Sequence, residues 1–286
     1  MKKKLINILI LSAVIFLSAC EKELSTENST LIGNELIVGK NCRIAKLVYN
    51  DTATGINLGS LAATINILDR VDQINAFDSL AVALTFAADI TYSNDTIYLN
   101  VDEYFVLDLV NNRIKRLHGL TDPTDILSPQ FDADYSYNAN GYLIQKNYLL
   151  SPGAFPLINV AYTYTGNNLT KMTYTNLVSG EVEVDADMQY YPTISPQNYL
   201  YIFPDEFTHP EYVQFFNFGK KSANAIKKIK LSFYNSGVAV DSLVSNFASY
   251  RMSRDNYVLD VIMSGDDQPA IPAPGGSKIK FSYKCK

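Results

Sequence analysis

Apolar and polar positions alternate over short stretches along most of the chain, and Asn/Gly clusters separate the stretches. In the last one, Lys278-Ile279-Lys280-Phe281-Ser282-Tyr283-Lys284-Cys285, the apolar side chains share one face with Cys285, and the lysines share the other with Ser282. Ile229, Leu231 and Phe233 repeat the pattern in a strand beginning near Lys228. Such a period of two with one wet face marks an antiparallel strand, because successive side chains of an extended backbone point to opposite sides. The clearest units run from Asp134 to Lys146 and from Ala161 to Met172. In each, two tyrosines stand two positions apart, Tyr135 with Tyr137 and Tyr162 with Tyr164; an Asn/Gly cluster follows and a second strand departs with Leu. The cluster supplies the positive φ that a tight hairpin needs. Weaker copies lie at 90–98, 107–117 and 233–238. A degenerate one lies at 67–74, where a short amphipathic helix over Leu61 to Val71 is the alternative. The pattern predicts a mainly β fold: a large curved antiparallel sheet of successive hairpins with one or two short helices packed on it.

Two segments break the alternation. Tyr191 to Pro210 is rich in proline and aromatics and leads into Glu211-Tyr212-Val213-Gln214-Phe215-Phe216-Asn217-Phe218-Gly219. This reads as an irregular excursion with one or two short helices, the last capped by Gly219. Tyr199, Tyr201, Phe203, Phe207, Tyr212, Phe215, Phe216 and Phe218 are too many large apolar rings for a solvated loop, so the excursion is expected to pack over one face of the sheet. Asp266 to Gly276, with Pro269, Pro272 and Pro274, reads as a long turn before the last strand.

The first residues follow different rules. Lys2, Lys3 and Lys4 precede an apolar run from Leu5 to Leu17. That run is shorter than the roughly 17–25 residues of a bilayer crossing and fits the roughly 7–15 of a secretory signal. It ends in Leu17-Ser18-Ala19-Cys20, which resembles the lipobox of bacterial lipoproteins. The resemblance implies cleavage before Cys20, acylation of that cysteine and membrane attachment through its lipid, where several buried acyl chains hold firmly and one does not. Three segments are therefore expected: a signal peptide at 1–19, a flexible tether at 20–41, and a single β-repeat domain at 42–286. The polar tether has too little apolar content to order itself. Its start, Glu21-Lys22-Glu23, resembles the export signal of some Gram-negative lipoproteins. This implies the outer membrane, with the cell surface preferred over the periplasmic face.

With Cys20 committed to lipid, Cys42 and Cys285 remain, and an even pair in an oxidising compartment suggests a disulfide, with two free buried thiols as the alternative. The Tyr-x-Tyr-Asn-x-x-Gly-x-Leu pattern resembles the tyrosine-rich YD repeats of RHS-type proteins. Together with the lipobox, the outer cysteines and Phe218 to Ile226, it makes the chain similar to an uncharacterised family of bacterial envelope lipoproteins built on such repeats. The resemblance implies architecture and carries no catalytic residues. Asn or Thr replaces the usual aspartate here and the spacing is irregular, which argues against a closed RHS shell.

Composition narrows the chemistry. Among 286 residues the net charge is -5, with 20 Tyr, 14 Phe, 2 His and no Trp. That leaves no basic stripe for nucleic acid and no multi-histidine metal centre. Nucleophile elbows, zinc motifs, phosphate loops and Cys-x-x-Cys are absent, and His118 and His209 stand alone. No catalytic residue, cofactor or metal is assigned. Acidic pairs at Asp122/Asp125 with Asp132/Asp134, Asp185/Asp187, Asp205/Glu206 and Asp266/Asp267 read as solvated charge, the first group being the candidate for calcium. Lys220, Lys221, Lys227, Lys228 and Lys230 form a basic patch expected to face water, or else an anionic membrane or glycan. Tyr135, Tyr137, Tyr162 and Tyr164 are the candidate binding residues, because tyrosine stacks on sugar rings or peptide. A cross-strand ladder of tyrosines is the structural alternative. The leading function is a non-catalytic envelope lipoprotein binding a glycan, peptide or partner protein. The alternatives are a structural, assembly or lipid-handling role and, third, a carboxylate-dependent hydrolase.

Overall fold

The computed structural model describes residues 42–120, 128–151, 153–202, 210–269, 271 and 273–285. Cys20, the signal peptide, the tether, Asp122, Asp125, Phe203, Asp205, Glu206, Phe207 and His209 lie outside them. Seventeen strands form one antiparallel sheet. The first nine are β1 (Cys42–Asp51), β2 (Asn57–Ile65), β3 (Val71–Asp78), β4 (Ala83–Asp89), β5 (Thr91–Ser93), β6 (Thr96–Tyr98), β7 (Tyr104–Asp108), β8 (Arg113–Leu120) and β9 (Gln130–Tyr137). Then come β10 (Leu143–Ser151), β11 (Phe155–Thr165), β12 (Asn168–Asn176) and β13 (Val182–Tyr190), followed by the four-residue helix α1 (Pro210–Val213). The chain ends in β14 (Ile226–Asn235), β15 (Val238–Met252), β16 (Val258–Gly265) and β17 (Ser277–Cys285).

Strands pair with their neighbours in sequence, β4 and β5 excepted. β4 and β5 are one line of chain interrupted at Ile90, with β4 paired to β3 and β5 to β6. Ile90 N keeps the line attached by donating to Asp72 O at 2.8 Å. β17 then pairs with β1 from Cys42↔Cys285 to Asp51↔Ser277, so the sheet closes on itself as an up-and-down barrel. A disulfide joins Cys42 and Cys285 at one end of this seam. Every hairpin expected from the sequence is present, including the degenerate one, where β2 and β3 stand in place of a helix over 61–71. The expected curved sheet is curved to full closure, because its first and last strands meet, which no local pattern encodes.

The alternation sorts outside from inside. Ile44, Leu47, Ile74, Phe105, Ile114 and Val160 are fully buried. Lys46, Lys115, Lys171, Asp187, Lys230 and Lys280, on six different strands, are exposed on the outer wall. A barrel that faces lipid has the reverse pattern, since a Lys on its outer face costs about 2–4 kcal/mol at the bilayer midplane. No helix of the described residues is long and apolar enough to cross a membrane.

A sheet of this many strands encloses more space than its own side chains fill. Residues 191–202 and 210–225, from the connection between β13 and β14, occupy it as a plug. Tyr199, Leu200, Tyr201, Tyr212, Phe215 and Phe218 are buried there, and each such burial is worth about 2 kcal/mol. The described part of the excursion thus packs inside the barrel, where its rings meet rings of β4, β7, β9, β15 and β17. Phe218 shows the fit: its ring contacts Phe105 at 5.5 Å, Tyr135 at 5.4 Å and Tyr201 at 6.1 Å. Helix α1 ends at Val213, well before Gly219. Gly219 is needed for a different reason: its φ is +91° and a Cβ there would lie 2.6 Å from Gly141 O in the β9–β10 turn, a position only glycine tolerates.

Candidate functional site

The four candidate tyrosines do not form a surface. Tyr135 and Tyr162 are only 6% and 5% exposed. Spacing of two puts each pair on one strand face, and closure makes that face the interior. Tyr137 donates its hydroxyl to Ile114 O at 2.6 Å beneath the Arg113 guanidinium, 4.1 Å from its ring. Tyr164 packs on Tyr142 with ring centroids 4.8 Å apart. Burial pushes both hydroxyls above their ordinary range. The cavity beside Tyr162 and Tyr164 holds about 20 Å³, space for about one water. These tyrosines face the interior: Tyr135 meets the plug ring of Phe218 at 5.4 Å, while Tyr137 and Tyr164 are held by the wall residues Ile114, Arg113 and Tyr142.

The other sequence candidates are separated. His118 Nδ1 lies 2.8 Å from Asp132 Oδ1 and its ring stacks on Tyr104 at 4.8 Å. Next to them Arg116 forks Asp134 at 2.5 and 2.9 Å. Asp185 accepts from Thr173 Oγ1 at 2.7 Å and pairs with Lys171 at 3.2 Å, while Asp187 is exposed. Among the described residues no group of three His, Cys, Asp or Glu could hold a metal ion.

A cavity of about 730 Å³ opens instead at the barrel end that carries both termini of the domain and the plug. Its wall comes from the start of β1, the β2–β3 turn, the β5–β6 turn and the β7–β8 turn; its floor is the plug. The chemistry is cations, amides and tyrosine rings. Arg43 Nη1 donates to Asp69 O at 2.9 Å and lies 3.8 Å from Asp69 Oδ1; its other arm donates to Phe215 O. The guanidinium therefore ties a wall turn to the plug. Arg70 lies over the Tyr92 ring at 5.0 Å. Tyr92 is fixed in turn, its hydroxyl donating to Val71 O and accepting from Val71 N, both at 3.1 Å.

Lys221 is the inner member. Its Nζ donates to Asn198 Oδ1 at 2.9 Å and sits 4.6 Å from the Tyr201 ring centroid. Asn198 is oriented by the donation of its Nδ2 to Cys42 O. Burial first, and the Arg43 charge second, lower the Lys221 ammonium from the ordinary 10.5 to about 7. The expected basic patch is thus divided: Lys220 and Lys227 are exposed and Lys221 is half-buried at the cavity. Sequence reasoning passed over Arg43, Arg70 and Asn198, which are far apart in the chain and belong to no motif. The lysine pair closing an aromatic segment was the one available signal.

These features define a plugged, disulfide-closed β-barrel with a polar outer wall and a cationic cavity at one mouth. Two solved structures share the fold. A porin-like protein from Bacteroides uniformis is 9% identical, with TM-score 0.56 over 86% of this chain and 99% of that one. A porin-like protein from Bacteroides vulgatus is 12% identical, with TM-score 0.52 over 85% of this chain and 99% of that one. The Tc holotoxin pore of Photorhabdus luminescens matches 82% of this chain and 14% of that one at TM-score 0.27, too low for an argument about fold. No protein-family model and no curated protein matches the chain.

Proposed function

We propose that the chain is a non-catalytic envelope lipoprotein, held at the outer membrane by lipid on Cys20, that binds a glycan end in the mouth cavity. The single observation carrying this is the cavity itself, about 730 Å³ lined by Asn94, Asn112, Asn198, Gln214, two tyrosines and three cations. Amides and tyrosine rings are what hydroxyl-rich rings need, hydrogen bonds at the edge and a flat apolar face. The porin-like shape of the two Bacteroides structures supports an envelope setting. The charged outer wall supports attachment by an anchor in place of spanning. A hydrolase using paired carboxyls finds only Asp69 in the cavity lining, tied to Arg43. The lipid-handling alternative loses support because the plug already fills the apolar interior.

Glycan-array screening of the mature chain, purified in detergent, tests the binding reading. Binding that Tyr92→Ala and Asn198→Ala both abolish supports it; an array without a hit sinks it. Membrane fractionation tests the anchor: Cys20→Ser is expected to leave the outer membrane fraction. Protease shaving of intact cells is expected to cleave the chain, placing it on the cell surface.

An assembly role is the second reading, favoured by a rim of exposed apolar hairpin tips, such as Leu80, Val82 and Val101, at the opposite barrel end. A photo-crosslinker at Val101 giving one discrete crosslinked species in cells would support it.

A further inference from the structure

We infer that the mouth cavity selects an acidic saccharide, seating a carboxylate or sulfate between Arg43, Arg70 and Lys221. The inference rests on the binding reading above and adds the charge of the ligand. Three cations line the cavity against a single carboxylate in its described lining, Asp69. That carboxylate is engaged with Arg43, so Arg70 and Lys221 have only neutral partners, a tyrosine ring for the first and Asn198 Oδ1 with the Tyr201 ring for the second.

Cations gathered without counter-charge weaken a fold, because each loses hydration and repels the next. Lys221 shows both costs at once, depressed by burial and by Arg43. A Met or Leu there would pack under Tyr201 without either cost. The fold therefore carries these charges at a loss when empty, and a bound oxyanion reverses the sign of the interaction.

The site is also built to hold its cations in place. Arg43 is pinned to backbone carbonyls of two separate segments, Asp69 O on a wall turn and Phe215 O on the plug. Asn198 has its Nδ2 committed to Cys42 O, so its Oδ1 holds the Lys221 ammonium at a fixed point. Preset donors of this kind gain most from a ligand that carries charge, since charge-assisted hydrogen bonds are about twice as strong as neutral ones. The amides then take the hydroxyls of the ring that bears the charge.

Isothermal titration of the mature chain at pH 8 tests this with four probes: a galacturonate oligosaccharide, a sulfated galactose oligosaccharide, a neutral galactose oligosaccharide of equal length, and inorganic sulfate. At least one acidic sugar is expected to bind at least tenfold more tightly than the neutral one, and the preferred sugar identifies the oxyanion. Lys221→Met and Arg70→Gln are each expected to cost at least tenfold, while Lys221→Arg retains the preference. The charged and titratable groups that share the cavity with Lys221 are Arg43 from β1, Asp69 and Arg70 from the β2–β3 turn, Tyr92 from β5 and Tyr201 from the plug. Lys221 is lowered to about 7, so binding of the acidic sugar should draw close to one proton from buffer, and Lys221→Met should draw none. Variants are compared only where thermal denaturation shows the wild-type fold. Equal binding of acidic and neutral sugars overturns the inference and leaves the glycan reading standing. Binding of sulfate as tight as that of the sulfated sugar overturns the saccharide half. Absence of all binding overturns the inference and the glycan reading together.

Discussion

The two ends of the barrel are made of the same hairpins and use them differently. The described residues of the connections at the end away from the plug include no Lys or Arg. Several acids there serve their own turns: Asp51 Oδ1 accepts from Ala53 N and Thr54 N, and Asp78 Oδ1 from Leu80 N and Ala81 N, while Asp266 Oδ2 accepts from Val244 N on β15. At the plugged end the polar groups act at long range. Arg43 reaches Phe215 O across 172 positions, Asn198 reaches Cys42 O across 156, and Asn217 reaches Asn112 O across 105. Turns satisfied largely by their own residues enclose less, a cavity of about 300 Å³ lined by Asn100, Val101, Asp102, Glu103 and Leu120. Side chains that hold distant segments together enclose space between those segments, which is why the candidate site lies at that end.

Reduction of the disulfide is the strongest way to break the contrast. Cys42 and Cys285 are 243 positions apart, and the chain-entropy account assigns a closed loop of that size about 5 kcal/mol. Urea unfolding with and without reductant should show a loss of that order. Hydrogen exchange of the reduced protein should rise around Asn198 and Lys221 before it rises at the β3–β4 turn. A uniform rise would remove the distinction between the ends.

Truncation inside the plug comes next. Phe218→Ala leaves a void among three rings and should cost about 3–5 kcal/mol. Val101→Ser, at a tip residue 94% exposed, should stay within about 0.5 kcal/mol. Paired urea midpoints measure both. Similar losses would mean that the far tips are structural too.

The same division explains what the sequence reveals. Hairpins were legible because turn chemistry and period-two alternation are local: the Asn140-Gly141 turn, with Gly141 at φ +85°, and Ile279 with Phe281 on the inner face could be read in place. Burial of the aromatic excursion was legible from the number of its rings. Closure was not, because the β1–β17 register joins opposite ends of the chain, and without closure the inward tyrosines looked available to a ligand. Arg43, Arg70 and Lys221 were illegible for the same reason, being a site only once the plug is inside the wall. Lys221 in particular looked like one of five ordinary surface lysines.

Stability against pH sharpens the plugged side of the comparison. Lys221 releases its proton at about 7 in the folded chain and near the ordinary 10.5 when unfolded. Between those values the unfolded chain binds more protons, so stability rises with pH through this window, by at most about 1.4 kcal/mol per pH unit. Below about 7 both states hold the proton and this group contributes no slope. Lys221→Met should flatten the rise in urea midpoint from pH 7 to about 8.5, below the range where the buried tyrosine hydroxyls, held above their ordinary value, reverse the slope, and Lys220→Met, on the exposed neighbour, should leave it unchanged. A wild-type midpoint level over that range would show that the ammonium is not held in the way described.

The smallest effect belongs to the far end. Val82 has φ +50° and is 78% exposed, a conformation that costs a β-branched residue about 1–2 kcal/mol. Asparagine tolerates it. Val82→Asn should therefore stabilise by about 1 kcal/mol and raise Tm by about 2–4 °C, with ligand binding at the other mouth unchanged. An unchanged Tm would mean that the β3–β4 turn relaxes around valine and that local turn chemistry does not govern this end. A gain would show that the fold has no use for valine there, and that an apolar side chain is carried on that rim at the expense of the turn beneath it.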